Sequence, residues 1–202
     1  MALGKTTKLD AVNTMLSIIG EPPINTISGT ARADALIAMN ILDEVSRETQ
    51  SAGWHFNTEN DVEFVPDMNG KINLADNIVR VDTEGSNVTT DVDPVVRGSK
   101  LYNRAQRTDV FSATIKCTAV YMFDFEDLPQ AARQFIMIRA GRIFGDRMVG
   151  SEKHHGFTLQ DEFKALGDLK EFECDTGDYS IFDNYDIGVI VDRVNVSRRL
   201  SN

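Results

Sequence analysis

The stretch Gln50–Asn57, QSAGWHFN, is where the pattern of the chain changes. Before it, apolar residues recur at helical spacing; after it, they tend to alternate. Gly53 suits the end of a helix, because a residue without Cβ accepts the left-handed backbone that often follows a last turn. The chain's only tryptophan comes next. Trp54 and Phe56 alternate with His55 and Asn57, the period of a strand entering a sheet. The plain reading is a core tryptophan closing a helix-to-sheet junction. A stacking platform for a sugar or base is the functional one.

Upstream, a long helix is expected from about Ala31 to Ser51. Ala31, Ala35, Ala38, Leu42, Val45 and Thr49 fall on one face, with Ile41 beside them. A shorter helix precedes it, with Leu9, Val12, Leu16 and Ile19 on its stripe and Met15 adjacent. Thr6 or Thr7 supplies its N-cap. Between the two lies IIGEPPINTI, Ile18–Ile27. Gly20 reads as a helix stop, and Pro22 and Pro23 enforce an extended turn, since neither has an amide hydrogen to donate. A phosphate-cradling loop would need G-x-G-x-x-G between a strand and a helix. Here the glycine is alone and follows a helix. Glu21 is therefore read as part of a rigid joint rather than as a catalytic base.

Downstream, Trp54 to Phe123 reads as β. VEFV (Val62–Val65) leads into the turn PDMNG, and KINL and NIVRV follow as short strands. PVVRG and KLYN form a hairpin turning at Gly98–Ser99. The longest strand candidate is Ala113–Phe123. Helical spacing resumes at DLPQAARQFIMIRAGRIFGDRMVG, with Pro129 in the first turn and Asp127 near the positive end. Phe135 to Ile138 are all apolar, so this helix is expected to be covered on several sides. Arg139, Arg142 and Asp146 share its polar strip. A fourth helix starts at Ser151 or, favoured by Thr158 with Asp161, at Thr158; Leu159, Phe163, Leu166 and Leu169 form its stripe. After Cys174 periodicity stops. The tail holds Tyr179, Phe182 and Tyr185 at intervals of three, then Arg193, Arg198 and Arg199.

These segments predict an α+β fold: a four-helix bundle, a β-rich insert between helices 2 and 3, and an extended C-terminal arm. The expected division is 1–53 with 124–175 as the helical bundle, 54–123 as the β-rich module, and 176–202 as a docking arm. Tyrosine and arginine are enriched where interfaces bury most of their energy. Tyr179, Phe182, Tyr185, Arg193, Arg198 and Arg199, with Arg139 and Arg142 on the third helix, are the candidate interface residues.

The chain has 202 residues, 21 Lys and Arg against 31 Asp and Glu, and a net charge of −10. Tight sequence-independent DNA binding is disfavoured, because it needs cations to displace counterions. No run of eighteen apolar residues suggests a membrane span, and MALGKTTKLD does not read as a secretory signal. Cys117 and Cys174 lie far apart and read as idle thiols. The histidines number 3. His154 and His155 are adjacent, whereas zinc helices space ligands four apart; His55 reads as structural. Asp82, Glu84, Asp91 and Asp93 crowd one loop, but glycine falls fourth from Asp82 where a calcium loop needs it sixth. No catalytic residue, metal site or cofactor is expected. The alternative is a glycan-hydrolysing enzyme using a carboxylate pair, such as Asp124 or Glu126 with a loop acid.

Two stretches carry a family likeness: LDAVNTMLSIIGEPPINTISG, and ADALIAMNILDEVSRETQSAGWHFN. Together with DFEDLPQAARQFIMIRAGRIFGDRMVG and GDYSIFDNYD, they resemble the tail tubular protein A family. These are tail adaptors of short-tailed, T7-like phages (podoviruses). The likeness spans most of the chain and is loosest from about Asp61 to Thr118. It implies a structural virion protein, not an enzyme, forming a ring of twelve below the portal. The ring is expected to join the portal protein to the tail nozzle, tail tubular protein B, with tail fibres attaching near that junction. DNA would leave the head through its channel without specific binding. Assembly would take place in the host cytoplasm, with no membrane involved.

Overall fold

The computed structural model describes residues 4–29, 32–83, 91–150 and 152–177. In chain order these are α1 (Lys8–Ile18), α2 (Ala33–Ser51), a 3-10 turn (His55–Asn57), β1 (Thr58–Phe64), β2 (Ile78–Asp82), β3 (Pro94–Arg97), β4 (Lys100–Asn103), β5 (Ile115–Tyr121), a second 3-10 turn (Phe125–Asp127), α3 (Gln130–Met148) and α4 (Glu152–Thr176).

Thr7 caps α1. Its hydroxyl accepts from the Asp10 amide at 3.1 Å while the Asp10 carboxylate accepts from the Thr7 amide at 3.0 Å, a reciprocal box that satisfies two otherwise orphaned donors. The IIGEPP corner is a joint, as its sequence predicts. Gly20 lies at φ +77. The Asn13 side chain grips Ile24 on both sides, accepting from its amide at 2.8 Å and donating to its carbonyl at 3.0 Å. Glu21 forms an ion pair with Arg32 at 2.5 Å, and Arg32 also donates to the Pro22 carbonyl at 2.7 Å. The single acid of the corner is thus tied to the residue that precedes α2.

The α+β class holds, but the helices do not form a four-helix bundle. α1, α2 and α3 pack on one another, whereas α4 packs along α3 and against the first 3-10 turn. Helix length explains this. α1 has 11 residues and α4 has 25, or about 16 Å against about 38 Å at 1.5 Å per residue, so α1 is too short to line the length of α4. Instead α3 is the central element, touched by α1, α2 and α4, which accounts for its run of apolar residues. Gly141 and Gly145 let α1 approach it closely: a Cβ there would lie 3.0 and 3.1 Å from Ile18. Met15, Leu16, Leu42, Ile136, Phe144 and Leu169 are fully buried in this helical core. The stripe expected on α4 is rotated. Ala165 and Leu169 are buried, but Phe163 is 67% exposed, because α4 packs on α3 and the first 3-10 turn instead of lining the centre of a bundle. α4 also begins at Glu152, so Gly156 lies inside it.

The β residues form a three-stranded antiparallel sheet, order β1-β5-β2, and the hairpin β3-β4. Phe64, Ile72, Leu74, Val81, Leu101 and Cys117 make a second core. KINL, expected as a strand, contributes a single bridge, Asn73 to Lys100. β1 starts at Thr58, ahead of the VEFV stretch, and carries a bulge between Glu59 and Val62, where Asp61 takes φ +57. The hairpin turns at Gly98, φ +61, as predicted.

Candidate assembly surfaces

The junction that opens the β region is built from buried amides. Trp54 and Phe56 do not enter a strand directly; His55–Asn57 is a 3-10 turn and β1 begins at Thr58. The cause is Asn57, which is 1% exposed. Its Oδ1 accepts from the Trp54 amide at 2.8 Å, and its Nδ2 donates to the carbonyls of Gln50 at 2.8 Å and Tyr121 at 2.7 Å. Gln50 completes the joint by pairing with both backbone groups of Phe123, at 3.0 and 2.8 Å. The Trp54 indole donates to the Thr49 carbonyl at 2.8 Å and packs against the helical core. The end of α2, the turn and the end of β5 are therefore joined through side-chain amides. On α4, buried Glu173 accepts from the His55 amide. Arg133, 4% exposed, donates to the carbonyls of Leu128 at 2.8 Å and Thr6 at 2.7 Å. Hydrophobic periodicity carries no signal for Gln50, Asn57, Arg133 or Glu173, which is why sequence reading passes over them.

The arginine strip of α3 is occupied within the chain. Arg139 pairs with Glu48 at 2.7 Å. Arg142 donates to Glu162 on α4 and pairs with Asp146 at 3.1 Å. The Glu162 hydrogen bond leads in raising the guanidinium's pKa above its ordinary value. Arg147 reaches Glu44 at 3.4 Å. These contacts pin α3 to its neighbours. Tyr179, Phe182, Tyr185, Arg193, Arg198 and Arg199 lie outside the described residues.

Large apolar side chains stay exposed in four places among the described residues. Leu36 and Ile37 lie near the start of α2, and Met148 and Val149 at the end of α3. Val65, Met68 and Val110 belong to the β region, where the Asp67–Gly70 turn is fastened by a bond from the Phe111 amide to the Gly70 carbonyl at 2.7 Å. Phe163 stands out from α4.

Several carboxylates gather in one depression, where two of them are engaged within the chain. A depression of about 480 Å³ is lined by residues that include Lys8, Asp43, Asp124 and Glu126. Asp43 is bound by the Lys8 ammonium at 2.6 Å, and Glu126 accepts from the Lys8 amide at 3.1 Å. In the predicted acidic loop, Asp93 pairs with Arg104 at 2.7 Å, and Glu84 lies outside the described residues. No group of three or more His, Cys, Asp or Glu able to hold a metal ion occurs among the described residues. Cys117 is buried and Cys174 exposed; burial, with Asp82 adding to it, pushes the Cys117 thiol up to about 11.

Comparison with known proteins adds the decisive observation. The family described as "Tail tubular protein" matches residues 9–179. A relative, tail tubular protein A of Klebsiella phage KP34, is 31% identical over 129 residues. That match takes in 64% of this chain and 66% of the relative's own length.

Proposed function

The chain belongs to the tail tubular protein family and is a structural component of the phage virion tail; from that premise we propose that it is a ring-forming adaptor joining the portal to the tail nozzle. The observation that carries this reading is the family match, which runs from α1 through α4. The likeness read from the sequence itself adds the finer expectations: a ring of twelve, a nozzle built of tail tubular protein B, fibres attached near the junction, and a central channel for DNA.

Two physical features support the proposal. An acidic subunit makes an acidic ring, and a channel that repels phosphate lets DNA slide. The exposed apolar residues on α2, α3 and the β region are a surface that gains from being covered by other subunits. In this reading residues 54–123 project as a module from the helical part, 1–53 with 124–175. Residues 176–202 form an arm that orders on a neighbour or partner, through Tyr179, Phe182, Tyr185 and the arginines after them.

The test is to mix the purified protein with the portal ring of the same phage and image the product by electron microscopy. A second ring of twelve stacked on the portal is expected. No association, with both proteins folded, overturns the adaptor reading. Deleting residues from Thr176 onward should leave a folded chain that no longer assembles; normal docking by the shortened chain refutes the arm.

A further inference from the structure

The hairpin β3-β4 has two unlike faces. Leu101 and Asn103 point inward and are 0% and 2% exposed, so the alternating residues Lys100 and Tyr102 face outward. Arg97 lies directly across from Lys100. Its guanidinium stacks over the Tyr102 ring at 3.6 Å from the centroid, which places all three on one face. Arg104 and Arg107 follow in the turn after β4. From 94 to 108 the sequence has no acid, within a chain of net charge −10. Arg104 pairs with Asp93, and the charge of Lys100 reaches Asp109, which Lys71 holds at 3.1 Å, but no direct ion pair among the described residues takes up Arg97, Lys100 or Arg107.

A surface of opposite character lies on α4. Asp168, Glu171 and Asp175 are exposed and follow one another along the helix at i, i+3 and i+7, so they share one stripe. No ion pair among the described residues neutralises them. The stripe runs about 10 Å at 1.5 Å per residue. On β4 the outward residues Lys100 and Tyr102 span about 7 Å at a strand's rise, with Arg97 across from Lys100. The short cationic face and the acidic stripe are opposite in charge.

We propose that the outward face of β3-β4, with Arg97, Lys100 and Tyr102 at its centre, docks on the Asp168–Glu171–Asp175 stripe of a second copy of this chain. The two surfaces differ, so the contact is head-to-tail, the kind that closes into a ring when its rotation permits. Nucleic acid is the weaker occupant. Duplex DNA carries a charge about every 1.7 Å, more than this short face can neutralise, and the rest of the chain repels it. The proposal rests on the ring reading of the preceding subsection and names the contact that builds the ring.

The test uses the full chain assembled on the portal ring. Four proteins are compared: wild type; Arg97→Glu with Lys100→Glu; Asp168→Lys with Glu171→Lys; and the chain carrying all four changes. Circular dichroism checks that each is folded. Wild type should form the ring, each double variant should lose it, and the fourfold variant should regain it, because the charges are then exchanged across the contact. Double variants that assemble like wild type overturn the docking proposal and leave the ring reading intact. Wild type that forms no ring overturns both. Loss in the double variants without recovery in the fourfold variant overturns the pairing with α4. Binding of a 30-base-pair duplex by wild type, lost in the hairpin variant, would assign this face to nucleic acid instead.

Discussion

Asn57→Ala is the sharpest probe of the junction. The side chain is almost fully buried and makes three hydrogen bonds to backbone groups, with the Trp54 amide and the carbonyls of Gln50 and Tyr121. Alanine takes the side-chain partner from the Trp54 amide and the Tyr121 carbonyl, while the Gln50 carbonyl keeps the Gly53 amide at 3.1 Å. Each buried polar group left unsatisfied costs about 1–3 kcal/mol. Water entering the space left by the amide recovers part of this, so the expected loss is about 2–4 kcal/mol. A domain is typically stable by only about 5–15 kcal/mol, so the effect is large. Urea unfolding would be followed by Trp54 fluorescence, since the indole is next to the lesion, and by far-UV circular dichroism. Asn69→Ala, at an exposed turn position, is the control and should change stability by less than about 0.5 kcal/mol. Asn57→Asp should be at least as harmful as alanine, because a carboxylate would face two carbonyl oxygens. A loss below about 1 kcal/mol for Asn57→Ala would refute the claim that this residue joins the helical and β parts.

Four further outcomes can be checked. Glu21→Gln removes a half-exposed ion pair with Arg32 and should cost less than about 1 kcal/mol, whereas Pro22→Ala with Pro23→Ala should lower stability or assembly more; the reverse ranking in thermal melts would mean that the charge, not the prolines, sets the corner. Gly145→Leu should destabilise by at least about 1–3 kcal/mol, since Ile18 already lies 3.1 Å from where a Cβ would be, and an unchanged melting temperature would show that α1 yields freely. With the Cys117 thiol buried and pushed up to about 11, iodoacetamide at pH 8 should alkylate Cys174 alone in the native protein and both thiols in urea, as read by mass spectrometry. The Asp10 carboxyl is held below the ordinary aspartate range, chiefly by the Thr7 hydroxyl and amide. Its contribution is therefore present above the unfolded pKa and lost as pH falls through the folded one, so Asp10→Asn should weaken the protein at pH 7 and flatten its loss of stability below about pH 4; an unaltered acid limb would discount the cap.

The parts that were legible in the sequence rest on local chemistry. Thr7, Gly20, Pro22 and Pro23 set the ends of the first helix and its corner because caps and φ restrictions act within a few residues. The Gly98 turn is local for the same reason. Trp54 was rightly placed at the boundary between periodicities, yet the backbone there is a 3-10 turn, since Asn57 finds partners 7 and 64 residues away. Of the interface candidates in the described chain, Arg139 and Arg142 lie on the polar strip that helical spacing gives, but their partners, Glu48 and Glu162, come from other helices and are not legible along the chain.

The sequence alone determined the α+β class, the order of helical and β segments, and the family, because periodicity, turn chemistry and the IGEPP and GWHFN stretches are read along the chain. Only the tertiary structure decided that the helices do not close into a four-helix bundle. α4, about 38 Å long, packs on α3 and the first 3-10 turn and turns Phe163 to solvent. It also brought together the outward residues of one hairpin as a cationic face. Helical spacing reveals which residues share a side, but which neighbour covers that side depends on element lengths and crossings that no local window contains.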